Sequence, residues 1–322
     1  MTPMIEDPYA YTFHGEVRSE HIGRGSGYSI QEISFPSPMK TDIPENNTVY
    51  ALHYTPEGNR KGLCVEVFHG WGAREARYEK AVCVSLARNG FDSCLVSLPY
   101  HMKRTPQGTS SGKYFFSTQL ERSGHALRQA IVDARCLGDV MSRRGMTLGC
   151  FGLSMGAVVL NLLMGVDERF EVGVSILGGG NINRMIWQGL FGRSIVRFLR
   201  TKGIGKKDFH EVLDDYGGFL EEIRKTGEIP EPRWDWYWID PLTYAHRNHP
   251  RRVLMFNALF DFIIPRTSVI ELNRALGKPK LIWLPTEHFA VVLFQNMIMR
   301  QSLKFFDSHI EEVKATRGRW HT

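Results

Sequence analysis

Three side chains in this sequence could together open an acyl bond: Ser154, Asp261 and His288. A serine hydroxyl is a poor nucleophile at neutral pH. It needs a base within hydrogen-bond reach, a group that orients the base, and donors for the oxyanion. Ser154 sits in Gly152-Leu153-Ser154-Met155-Gly156. The apolar run at 146–151 before it reads as a short buried strand, and 157–166 after it reads as a helix. In so tight a turn the serine takes a strained backbone conformation, and small flanking residues keep clear of strand and helix. The hydroxyl is then held out at the end of a sheet. Asp261, in NALFDFIIP, follows the carboxyl end of a strand, where ligand-facing groups of open α/β sheets gather. His288, in LIWLPTEHFAVV, lies on the loop between the last strand and the last helix. Of the twelve histidines, it is the one after Asp261 placed at a strand end. His309 falls near the end of the terminal helix and His321 on the tail. Asp240, just before Pro241, is a second candidate acid, although an aspartate there also reads as a helix start.

Donors for an oxyanion are offered by His69-Gly70-Trp71-Gly72, directly after a strand ending at Phe68. Glycines let main chain approach a substrate oxygen closely. One donor would be the amide of Trp71 and the other that of Met155, which follows the serine. His69 reads as a residue that holds this loop. Tyr100 and His101 follow the strand ending at Leu98 and read equally as substrate-lining or as plain loop. Residues 203–207 (GIGKK) lack the preceding strand and the spacing of a phosphate-binding loop.

The elements that must position these groups follow a rhythm. Residues 27–35 and 49–54 alternate apolar and polar around a turn-rich segment, which predicts an antiparallel hairpin. Strands are predicted at 62–68, 91–98, 146–151, 171–177, 252–259 and 280–284. Helices are predicted at 74–89, 117–144, 157–166, 266–275 and 289–309, the first two closed by Gly90 and Gly145. Strands alternating with helices imply right-handed crossovers and a mostly parallel, doubly wound sheet. Residues 181–238 break the rhythm with helical, tryptophan- and phenylalanine-bearing segments. They read as a helical cap inserted into a core made of 1–180 and 239–322. Met185, Trp187, Leu190, Phe191, Phe198 and Leu199 alternate there with Arg184, Arg193, Arg197 and Arg200. Closure over the site is the favoured reading of this amphipathic pattern, ahead of contact with a membrane surface.

Composition excludes several classes. The chain has 322 residues, 43% of them hydrophobic and 23% charged, which suits a globular α/β domain with an insertion rather than disorder. A net charge of +6 comes without a long basic run or an aromatic-interleaved basic stripe, so nucleic acid is not expected as a partner. The five cysteines fall in predicted buried strands (Cys64, Cys94, Cys150) and helices (Cys83, Cys136), with no metal-ligand spacing. Reduced packing thiols and a cytoplasmic location are the expectation. The first fifteen residues lack the pattern of a signal peptide, and no apolar run is long enough for a membrane span.

HGWG, GLSMG, LFDFIIP and TEHF, in that order, resemble the catalytic segments of the α/β-hydrolase superfamily, from about Gly62 to the terminal helix. The strand-rich lead and the cap are similar to those of esterase and lipase-like members. The resemblance implies that Ser154 is the nucleophile, His288 the base and acid, and Asp261 the orienting carboxylate. It differs from dienelactone hydrolases, which carry a cysteine at the elbow, and from haloalkane dehalogenases, which carry an aspartate. Trp71 stands where the lipase-type loop has glycine, which disfavours large alcohol groups on that side. A serine hydrolase of a carboxylic ester with an apolar acyl or aromatic group follows, with no cofactor and no metal. A thioesterase or peptidase with the same triad, and a silent fold that only binds ligand, are the alternatives.

Overall fold

A computed structural model of the chain describes residues 7–248 and 252–318. His321 and the first six residues, on which part of the signal-peptide reading rests, lie outside the described residues. The strands are β1 (Arg18–Gly25), β2 (Tyr28–Pro36), β3 (Thr48–Pro56), β4 (Leu63–Phe68), β5 (Asp92–Val96), β6 (Thr147–Leu153), β7 (Phe170–Ile176), β8 (Arg252–Ala258) and β9 (Leu281–Leu284). They form one sheet in the order β1-β2-β3-β5-β4-β6-β7-β8-β9. The strands from β5 to β9 along this order run parallel, and β1, β2 and β3 are antiparallel.

The predicted hairpin is β2–β3, but β1 was not predicted. Its sequence, RSEHIGRG, is almost wholly exposed. An edge strand that buries no face leaves no apolar alternation to read. The central strands are legible for the opposite reason. All six residues of β4 are buried, as expected of a parallel strand covered on both faces.

The helices are α1 (Arg77–Arg88), α2 (Leu120–Arg143), α3 (Met155–Val166), α4 (Ile182–Gln188), α5 (Arg193–Thr201), α6 (Lys206–Thr226), α7 (Pro241–Tyr244), α8 (Arg266–Ala275) and α9 (Gln295–Gly318). The predicted terminal helix begins instead as a 3-10 turn at Phe289–Phe294. Their sides follow from the order of the strands. From β4 the chain moves outward to β5 through α1, then returns past β4 to β6 through α2. Right-handed crossovers then place α1 on one face and α2, α3 and α8 on the other. The two apolar layers show this. Val82, Cys83 and Leu86 of α1 pack with Ile298 and Phe306 of α9. Leu127 and Ile131 of α2 pack with Val159 and Leu163 of α3 and Leu272 of α8. Helix α3 is buried on nearly every side, which is why its sequence is apolar all round.

Residues 181–238 are helical, with no strand among the described residues. Tyr216, Phe219 and Ile223 of α6 join the core layer beneath α2 and α3. Asp240 ties the two ends of the segment together. Its carboxylate accepts the main-chain N–H of Asn181 (3.0 Å), Ile182 (2.5 Å) and Leu242 (2.9 Å).

The reversal of strand order at β4 opens a crevice at the carboxyl end of the sheet. Register keeps the parallel strands flush there: Phe68 pairs with Gly152, Gly152 with Ser175, and Ser175 with Met255. The loops that follow therefore emerge at one edge.

Candidate active site

Ser154 occupies the turn between β6 and α3 with φ 54° and ψ −114°, a conformation a non-glycine residue rarely adopts. Such a residue stores about 1–3 kcal/mol of strain. The neighbours explain how it is held. The Ser154 N–H donates to the Ile176 carbonyl at 2.8 Å, and its carbonyl accepts from Ala157 and Val158 in the first turn of α3. A side chain at Gly152 would overlap the main chain of Gly156 and Ala157, and one at Gly156 would overlap the Phe68 carbonyl. Only glycine lets the elbow pack this closely.

The structure brings Ser154, His288 and Asp261 together. His288 Nε2 lies 2.9 Å from Ser154 Oγ, and His288 Nδ1 lies 2.8 Å from Asp261 Oδ2. The other carboxylate oxygen of Asp261 accepts the main-chain N–H of Ile263 (2.8 Å) and Ile264 (3.0 Å). The His288 and Asp261 side chains are 6% and 4% exposed, so water competes little for these bonds. With Nδ1–H donated to Asp261, Nε2 is left as an acceptor for the serine proton. Glu287 caps the next turn by accepting from Phe289 and Ala290, which fixes the loop carrying His288.

The loop His69–Gly72 lies against the elbow, with Gly70 facing Ser154. Its donors are allotted one by one. The Gly70 N–H donates to Glu79 Oε1 at 3.3 Å, and the Gly72 N–H donates to His101 Nε2 at 3.2 Å. The Trp71 indole N–H donates to the Gly112 carbonyl at 2.9 Å. The main-chain amides of Trp71 and Met155 have no hydrogen-bond partner among the described residues. Met155 opens α3, whose first turn leaves its N–H groups free, and Trp71 follows Gly70, which faces Ser154.

His69 and His101 are structural supports for this loop. The Leu98 N–H donates to His69 Nε2, and His69 Nδ1–H donates to the Gly70 carbonyl. In the same way His101 Nδ1–H donates to the Pro99 carbonyl. Burial lowers His69 to about 4 and His101 to about 3, His69 adding to the second shift. Both rings stay neutral at physiological pH, so each Nε2 keeps accepting main-chain N–H. Tyr100 and His101 follow β5. Both side chains are buried, and His101 faces the loop and the His69 ring. Glu79 was missed by sequence reasoning. It is a carboxylate on the buried face of amphipathic α1, which is the signal that could have found it.

Asp240 lies at the segment junction described above and starts α7, and His288 pairs with Asp261 instead. Burial pushes it up to about 6, against three main-chain donors that favour its charged form. His309, on α9, pairs with Glu171 of β7 at 3.1 Å. The five cysteines are free and buried. Among the described residues no group of His, Cys, Asp or Glu could hold a metal ion, and no helix is long and apolar enough to cross a membrane. A cavity of about 780 Å³, lined by Tyr50, Leu52, Met102, Lys103 and Ser111 among others, does not include Ser154, Asp261 or His288.

Sheet order, elbow and strand-end loops together make this the α/β-hydrolase fold. Solved structures of that fold resemble the chain over most of its length. A cold-adapted esterase from an Arctic intertidal metagenomic library matches at TM-score 0.56 and 18% identity, covering 93% of this chain and 98% of that one. Acetyl xylan esterase 1 from Thermoanaerobacterium sp. JW/SL YS485 matches at 0.61 and 15%, covering 91% and 89%. The acylaminoacyl peptidase of Pyrococcus horikoshii matches at 0.57 and 14%, covering 87% of this chain and 42% of its own. No protein-family model matches the sequence, and no curated protein sequence matches it.

Proposed function

We propose that the protein is a serine hydrolase that cleaves a carboxylic ester through an acyl-enzyme. One observation carries this reading: the hydrogen-bond chain from Ser154 Oγ through His288 to Asp261. Ser154 Oγ attacks the acyl carbon while His288 Nε2 takes its proton, and Asp261 stabilises the imidazolium. The amides of Trp71 and Met155 hold the oxyanion, each such donor contributing about 3 kcal/mol. His288 then passes the proton to the leaving oxygen and the alcohol departs. Water, deprotonated by His288, attacks the acyl-serine and frees the acid. His288 serves every proton transfer, so the cycle calls on no cofactor or metal.

Several structural neighbours are named as esterases and one as an acylaminoacyl peptidase, which supports a serine hydrolase, and the esterase names are the reason an ester is put ahead of a thioester or amide. Trp71 with the Phe191 ring packed on it, and Phe262 next to Asp261, suit an apolar acyl or aromatic group. Residues 181–238 act as a cap on the core of 1–180 and 239–322. Its residues 189–191 wall the mouth, since the Leu190 N–H donates to the Phe262 carbonyl and Phe191 packs on Trp71. A binding-only role gives no reason to hold Ser154 in a strained turn. Buried reduced cysteines fit a cytoplasmic setting.

A fluorophosphonate probe labels wild type and spares Ser154→Ala under this reading. Wild type left unlabelled, where other serine esterases react, would sink it. A series of p-nitrophenyl esters set against acyl thioesters and aminoacyl anilides then ranks the substrate classes.

A further inference from the structure

The residues flanking the acid and the base point their apolar side chains at solvent. Phe260 is 65% exposed, Phe289 62% and Leu293 80%. Phe262, Phe191 and Trp71 are also exposed, and these six residues lie on the loops around the acid, the base and the elbow and on the cap, as an apolar belt. The Trp71 and Phe191 rings lie 5.4 Å apart, the Phe262 and Phe289 rings 6.3 Å, and the Phe289 and His288 rings 5.5 Å. Main chain joins the two sides through Leu190 and Phe262. An exposed apolar surface of this kind around a reaction centre marks contact with another phase or molecule.

The charge beside the belt names the partner. Residues 193–207, beginning two positions after Phe191, hold six lysines and arginines and no acid. Among the described residues, only Lys207 of these pairs with a carboxylate, Glu211 at 3.8 Å. Helix α5 turns Ile195 and Val196 inward and leaves Arg193, Arg197 and Arg200 exposed. At 1.5 Å per residue its nine residues span about 14 Å, so the cations stay close to the belt. Glu287, next to His288 in the chain, is already engaged by two main-chain N–H groups, and Asp261 by His288, Ile263 and Ile264. Apolar side chains flanked by unpaired cations are the signature of binding at an anionic membrane interface. A second copy fits less well. A two-fold interface would set the same cationic surface against itself and would cover the mouth.

We propose that this face docks on an anionic phospholipid bilayer, with the mouth of the Ser154 site toward the lipid. The inference rests on the exposed surface and not on the catalytic reading, and Ser154→Ala keeps the two apart. Ser154→Ala and wild type should sediment equally with phosphatidylcholine vesicles containing phosphatidylglycerol. Binding to these should be at least about tenfold tighter than to pure phosphatidylcholine at ~0.1 M salt, and should weaken as salt rises. Phe260→Asp with Leu293→Asp, and separately Arg197→Glu with Arg200→Glu, should each lower it at least about tenfold. All four positions are exposed, and the wild-type comparison between the two vesicle types decides the matter without any variant. Wild type that ignores anionic vesicles, or binds both kinds alike, overturns the proposal. So does a dimer in solution that Phe260→Asp with Leu293→Asp dissolves, because a second copy would then cover the face.

Discussion

At the scale of single residues, each role at the candidate site depends on a hydrogen that another residue places. Asp261 shows this most simply. By accepting from His288 Nδ1 it leaves Nε2 free to accept from Ser154. Asp261→Asn would offer an amide donor to Nδ1 and move the ring proton to Nε2. Ester turnover should then fall about 10⁴-fold while the thermal midpoint stays near wild type. A loss under tenfold would show that Asp261 does not set the tautomer. Ser154, Asp261 and His288 were legible because each follows an apolar run that announces a strand end. The support residues were not. Glu79 and His101 act on main-chain N–H groups of a loop nine and twenty-nine residues away, a relation no local pattern carries.

Elements decide where those residues can stand. The flush register of β4, β6, β7 and β8 brings four loops to one edge, and reversal at β4 opens the crevice between two of them. Alternating apolar runs and glycine stops made these strands readable, whereas exposed β1 gave no such signal. The junction of the 181–238 segment hangs on Asp240, which joins the start of α4 to the start of α7. Asp240→Ala removes a cap and strands buried N–H groups. It should lower stability by about 2–4 kcal/mol, measured by urea unfolding. Because the carboxylate meets the serine site only through the segment, labelling of Ser154 should persist in the folded fraction. Loss of labelling at full folding would make Asp240 part of the chemistry instead.

At the scale of the whole molecule, one interior acid among the described residues has neither carboxylate oxygen compensated. Glu66 lies on central β4 between Cys94 and Cys150, fully buried, with neither carboxylate oxygen hydrogen-bonded. Burial holds it well above the usual carboxylate range, Asp167 adding to the shift and Arg169 opposing it. The folded protein therefore keeps a proton that the unfolded chain releases. Stability is fullest below the ordinary glutamate range and declines as pH rises, by at most about 1.4 kcal/mol per pH unit. Glu66→Gln should flatten that decline between pH 5 and 8 in denaturant unfolding. An unchanged profile would mean that Glu66 is charged in the fold. Outward faces were the least legible feature at this scale, since Phe260 and Phe256 look alike in sequence yet one is exposed and the other buried. The central claim is that Ser154 carries the acyl group during turnover. Rapid acid quench of a p-nitrophenyl ester reaction, followed by peptide mass mapping, tests it most directly. The account predicts the acyl mass on the peptide holding Ser154, absent in Ser154→Ala. Ester turnover with no acylated Ser154 peptide, or undiminished turnover by Ser154→Ala, would contradict it.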